Sequence, residues 1–254
     1  MEPQRHLEIL LAEGHRLAAM PPDALDAPVP SIEGWTLERV VRHTGKIHQW
    51  VAAVLAAGPE ADLDQVSSSL PGIPRGADCL PAYGEALQVV HAALAALAPE
   101  EQVASFVGPT TARFWQRRQA HEVAVHRIDA ADAVQAVGGP PPEPIALDCA
   151  ADGTDEWARV FLATRWNQRF GEFPEELEGR TVHLHGTDID AAEWLLTFAG
   201  GRVLVDPTHG KGDVALRGTA QDLLLALWRR RPLDLLEVHG DQELAERLVD
   251  LARF

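Results

Sequence analysis

Residues 138–144 read Gly-Gly-Pro-Pro-Pro-Glu-Pro, and no helix or central strand can run through them. Each proline fixes its own φ and removes a backbone donor, and the two glycines add a flexible lead-in. The stretch therefore predicts a chain in two parts, residues 1–138 and 145–254, joined by a linker at 139–144. A length of 254 residues suffices for two ordinary domains, each with its own core, and one large domain is the alternative. With 46% hydrophobic and 24% charged residues, the composition is that of a globular chain.

The part before the linker reads as helices. Residues 4 to 20 place apolar side chains at helical spacing and stop before Pro21-Pro22. A second helix opens near Thr36, a candidate N-cap, runs through His43 and Trp50, and stops at Gly58-Pro59. Residues 59 to 79 read as a loop, and a third helix follows from about Pro81 to Leu97. The fourth, Thr111 to Val137, contains no Pro or Gly. Four such helices imply a four-helix bundle whose inward side chains can build a site. Beyond the linker the pattern changes. One more helix is expected around 145–165, with β-type runs at Arg180–His185, Gly201–Val205, Asp213–Arg217 and Leu233–Val238. Helices are expected at Asp190–Ala199, Thr219–Arg231 and Gln242–Ala252, so this half is an α+β domain.

A formal charge of −16 argues against nucleic acid as a partner, because phosphate binding draws on clustered Lys and Arg. The one basic run, Arg229–Arg231, reads equally as a solvated helix end or an anion site. No apolar stretch approaches the roughly 20 residues of a membrane span, and the N-terminus lacks a signal-peptide apolar block. A cytoplasmic protein with no membrane partner is expected, monomeric or homodimeric. Cys79 and Cys149 are too few for a disulfide framework and lack paired metal-ligand spacing. Thiol chemistry here would use a thiol from outside.

The segment that carries chemistry is His121-Glu122-Val123-Ala124-Val125-His126. At about 100° per residue, Glu122 and His126 differ by only about 40° and can point at one ion. His121 lies about 140° from His126, and His48 lies about 140° from His43, so neither is assigned to the metal. An imidazole and a carboxylate make half a site, and a facing helix can supply the rest, with His43 the candidate. Three ligands of this kind leave a fourth position open, as in catalytic zinc sites. The same spacing also serves a plain stabilising pair, and Arg118 is placed to pair with Glu122. Spacing alone makes a metal site possible and no more.

The stretches Pro30-Ser31-Ile32-Glu33-Gly34-Trp35-Thr36-Leu37 through His43, and Phe114-Trp115 through Asp129, resemble the mycothiol-dependent maleylpyruvate isomerase family, one of the DinB-like metal-binding bundles. His183-Leu184-His185-Gly186-Thr187-Asp188, Gly218 to Leu223, Leu227-Trp228, Pro232 and Val238-His239-Gly240-Asp241 resemble its C-terminal domain in the same order. The resemblance implies zinc, or another divalent metal, on His43, Glu122 and His126. It also implies mycothiol as the thiol and a C-terminal α+β domain resembling sterol carrier proteins, with the active site between the domains. Arg230 matches a family arginine expected to face that site. At Arg229 the chain departs from the family, where glycine is common.

A thiol-dependent isomerase or S-transferase acting on a small electrophile is the function these readings favour, with the metal holding the thiol as thiolate. Asp129, three residues past His126, is a candidate to orient that imidazole. Trp50 and Trp115 are candidates to wall the pocket, with bundle core as their other role. A zinc metallohydrolase with water as nucleophile and a noncatalytic small-molecule-binding module are the alternatives.

Overall fold

The computed structural model describes residues 1–190 and 192–252. They form two compact units, one from Met1 to Glu143 and one from Pro144 onward.

The first unit is built on four long helices: α1 (Pro3–Ala18), α2 (Leu37–Ala57), α4 (Cys79–Ala95) and α5 (Ala112–Ala136). α1 packs on α4 and α5, and α2 packs on the same two, which closes the bundle. Thr36 caps α2 by accepting from Arg39 N at 3.3 Å, and Gly58, at φ 87°, ends it. α5 is the most enclosed element, with its whole middle buried from Trp115 to Val134 apart from the half-buried Arg117 and Glu122. Its end is closed by Gly138, at φ 95°, whose N–H bonds to Gln135 O while Gly139 N bonds to Val134 O, a Schellman pair.

The loop expected at 59–79 contains a short helix, α3 (Leu63–Ser68). Asp62 nucleates it by accepting from Asp64 N and Gln65 N, and none of its residues is buried, so it leaves no apolar periodicity to read. A small hairpin, β1 (Gln102–Val103) with β2 (Thr110–Thr111), leads into α5.

The second unit opens with an unbroken helical run: α6 (Leu147–Glu156), a π-helical stretch (Trp157–Arg165) and α7 (Trp166–Phe170). A five-stranded sheet follows in the order β5-β4-β3-β6-β7, formed by β3 (Thr181–Gly186), β4 (Glu193–Ala199), β5 (Arg202–Asp206), β6 (Val214–Gly218) and β7 (Glu237–Gly240). Only the β3–β6 pair is parallel. Val182, Leu184, Trp194, Leu196, Phe198, Val214 and Leu216 form its core face. The helical run, α8 (Ala220–Leu227) and α9 (Gln242–Leu251) contact the sheet. The mixed sheet with its helices is the α+β arrangement expected.

Two expectations are corrected. Leu233–Val238 is not one strand: Leu233–Leu235 forms a 3-10 turn after Pro232, and β7 begins only at Glu237. Asp190–Ala199 is not a helix: Glu193–Ala199 is the strand β4, paired between β5 and β3, and Ala191 lies outside the described residues. Burial alternates along Glu-Trp-Leu-Leu-Thr-Phe-Ala, with Trp194, Leu196 and Phe198 inward. The two adjacent leucines masked that period of two. Among the described residues no helix is long and apolar enough to cross a membrane.

Candidate metal centre

His43 comes from the first half of α2, Glu122 and His126 from the middle of α5. The packing of α2 against α5 brings them together. His43 Nε2 and His126 Nε2 each lie 3.3 Å from Glu122 Oε1, and the rings of the two histidines are 4.8 Å apart, edge to face. A tetrahedral ion with bonds of about 2.0–2.1 Å needs ligand atoms roughly 3.3 Å apart, so each imidazole stands from Glu122 at the spacing zinc would impose, with all three donors within 4.8 Å of one another. The second Glu122 oxygen is taken by Arg118 Nη2 at 2.7 Å. The pairing of Arg118 with Glu122 and the convergence of the imidazoles thus coexist, one on each carboxylate oxygen.

Asp129 is fully buried, and its Oδ2 accepts from His126 Nδ1 at 2.9 Å. That contact keeps a ring hydrogen on Nδ1, so Nε2 is the nitrogen turned to Glu122: it donates to the carboxylate when the ring is charged and is the atom freed to ligate when the ring is neutral. Ser31 Oγ donates to the other Asp129 oxygen at 3.4 Å. Burial acting alone would raise the Glu122 carboxyl, yet His126, His43 and Arg118 hold it well below the usual carboxylate range. Burial likewise opposes charge on His126, but Glu122 and Asp129 outweigh it and raise that imidazole to about 9. The centre is built for a positive charge. Access comes past His43, whose side chain is 36% exposed against 15% for Glu122 and 10% for His126.

Trp35 is the residue that sequence reasoning missed. Its indole stacks on His126 with the rings 9° from parallel and 6.0 Å apart, and meets His43 edge-on at 5.1 Å. Arg39 covers the indole at 4.8 Å. Trp35 precedes the cap of α2, outside the helix, where periodicity says nothing about direction.

The other tryptophans go elsewhere. Trp115 is 1% exposed, bonded through Nε1 to Ala104 O at 2.8 Å and packed among Phe106, Phe114 and Trp50, so it is core and cannot wall an open pocket. Trp50 joins this aromatic group with its ring 5.4 Å from that of Trp115. His48 is buried beside Tyr83 with Nδ1 2.8 Å from Gln119 Oε1, and His121 packs on His6. Both cysteines are buried, and burial pushes the Cys79 thiol up to about 11, far from a reactive thiolate. Arg230 belongs to the second unit, just past α8, where Nη1 donates to Trp228 O at 2.8 Å.

No curated protein matches the chain by sequence. Two domain families do: the mycothiol maleylpyruvate isomerase N-terminal domain over residues 10–131 and the C-terminal domain of the same proteins over residues 148–247. Among solved structures, mycothiol-dependent maleylpyruvate isomerase is similar at TM-score 0.60 and 12% identity, and a histidine-to-alanine mutant of it at 0.62 and 11%. Each comparison covers 95% of both chains, and at such identity it speaks to the fold. With both domain families present in order on one chain, and the fold shared end to end, this protein belongs to the mycothiol maleylpyruvate isomerase family.

Proposed function

We propose that the chain is a metal- and thiol-dependent isomerase or S-transferase, with zinc or another divalent ion on His43, Glu122 and His126 and mycothiol as its thiol. The observation that carries this reading is the convergence of those three side chains within the N-terminal family domain. A divalent ion held there would stabilise a thiol in its nucleophilic thiolate form.

The chain's own residues supply the rest. Arg118 holds one oxygen of Glu122, which fixes the other toward the two imidazoles. Asp129 orients His126, and Trp35 gives the centre an apolar wall on one side. With Cys79 and Cys149 both buried, the nucleophilic sulfur comes from the added thiol. Arg230 is proposed to bind an anionic group of substrate or thiol.

The test is turnover by zinc-loaded protein of cis-configured maleylpyruvate, followed by its absorbance change, and of an epoxide, followed by conjugate formation. Product should form only when mycothiol is added, and in neither case with His43→Ala. Hydrolysis of test esters at equal rates with and without thiol would replace this reading with that of a metallohydrolase.

A further inference from the structure

The sheet of the second unit carries a second cluster of ligand-type side chains. On β3, His183 and His185 are two residues apart and project from the face opposite Val182 and Leu184. β4 pairs antiparallel with β3 so that Glu193 stands directly across from His185. The segment 207–213, between β5 and β6, brings His209 over the same face. Glu193 is the hub: its Oε1 lies 2.9 Å from His185 Nδ1, and its Oε2 lies 2.8 Å from His209 Nδ1 and 3.5 Å from His183 Nε2. All four donors fall within 4.8 Å of one another.

Three features make this more than a surface ion pair. His183 is 5% exposed, and its buried Nε2 makes no hydrogen bond, although it faces the Glu193 carboxylate. A buried polar atom in that condition costs free energy that a bound ion would return. Second, three imidazoles around one carboxylate are a poor hydrogen-bonding set. The two Glu193 oxygens serve three rings, whereas three nitrogens and one oxygen complete a tetrahedral set for zinc. Third, the covering segment is shaped for close approach. A Cβ on Gly212 would sit 2.9 Å from His183 N, and one on Gly210 would sit 2.9 Å from Leu195 Cδ2. Glycine at both positions lets the segment lie against the strands beside the cluster.

We propose that His183, His185, Glu193 and His209 form a second metal site, for a divalent transition-metal ion such as zinc, on the outer face of the sheet. Four protein ligands complete a tetrahedral ion, so the role is structural: the ion ties the segment 207–213 to β3 and β4. Nothing in it depends on the centre in the first unit.

The experiment uses the full chain, stripped with chelator and titrated with zinc alone, with bound metal counted after desalting. Zinc should bind at the sheet in the wild type and in His43→Ala/Glu122→Ala, which keeps one equivalent. The His183→Ala/His209→Ala variant should bind one equivalent less than wild type. If the first-unit reading is wrong and this one right, wild type binds one equivalent and His183→Ala/His209→Ala none. His209 is 76% exposed, so His209→Ala provides a variant with little risk to folding. Losing it should weaken the sheet zinc by about tenfold or more, at least what loss of a supporting partner costs. Equal zinc content and affinity in wild type, His209→Ala and His183→Ala/His209→Ala would overturn the proposal.

Discussion

The buried carboxylate of Asp129 grips His126 Nδ1 at 2.9 Å from one turn further along α5, and so sets which ring nitrogen faces Glu122. Asp129→Asn keeps the shape and removes the charge. Loss of such a partner typically lowers metal affinity by about 10–100-fold. Competition with a chromogenic chelator measures this, and unchanged affinity would mean that His126 is held by packing alone.

His43 is the most open of the three proposed ligands, so His43→Ala should separate metal binding from folding. The variant should keep the far-ultraviolet spectrum of the wild type and a melting temperature close to that of metal-free wild type. Its first-unit metal should be gone, because two remaining ligands hold an ion poorly. Full occupancy in this variant, by elemental analysis, would show that the third ligand lies elsewhere.

Arg229 has φ 62°, the left-handed region that favours glycine. It stands at the position after the C-cap of α8: its N–H bonds to Ala226 O and that of Arg230 bonds to Leu225 O, a second Schellman pair. Glycine adopts that conformation without a Cβ penalty. Arg229→Gly should therefore stabilise the protein by roughly 1 kcal/mol. The exposed pair of Arg229 with Asp250, at 3.4 Å, offsets little of this. Urea denaturation decides the sign, and a destabilised variant would refute the argument.

Much of this molecule was legible from one-dimensional patterns, and the failures are informative. The four bundle helices have apolar periodicity and stops at Pro or Gly, and the i,i+4 spacing of Glu122 and His126 survives folding as the 3.3 Å approach of His126 Nε2 to Glu122 Oε1. β4 was misread because Leu195 and Leu196 sit side by side while only Leu196 is buried in the sheet core. Trp35 lies in a turn, where direction depends on the backbone of Gly34 at φ 71° rather than on a period. The sheet cluster had a readable half: His-x-His on a strand puts both rings on one face. Its other half, Glu193 and His209, depends on strand register and a glycine-bearing segment.

His48 gives the bundle an acid-sensitive point. Its folded value is lowered to about 4, chiefly by burial, against about 6.5 when unfolded. Between those values the unfolded chain binds a proton that the folded chain refuses, so stability falls as pH drops from about 6.5 towards 4. At about 1.36 kcal/mol per unit, the loss at pH 5 is about 2 kcal/mol relative to neutral pH. His48→Gln should lower stability less steeply between pH 7 and 5 than wild type by about that amount. Parallel slopes in urea titrations would place the acid sensitivity elsewhere.

The raised His126 makes the first-unit metal site compete with a proton. At pH 7 the metal-free imidazole, with its value near 9, carries a charge that Glu122 and Asp129 stabilise. Ligation through Nε2 needs the neutral ring, so zinc binding should expel about one proton per ion at pH 7. The release should shrink as pH passes 9, where the ring is already neutral, and apparent affinity should rise up to about tenfold per unit below that pH. Calorimetry in buffers of different ionisation enthalpy counts the protons, with His183→Ala/His209→Ala as the background so that the sheet histidines add none. In that background Asp129→Asn removes one of the two carboxylates that hold the proton, so its release should fade at a lower pH. A proton count near zero at pH 7 would mean that His126 is neutral before the ion arrives and that the charge balance derived from Glu122 and Asp129 is wrong.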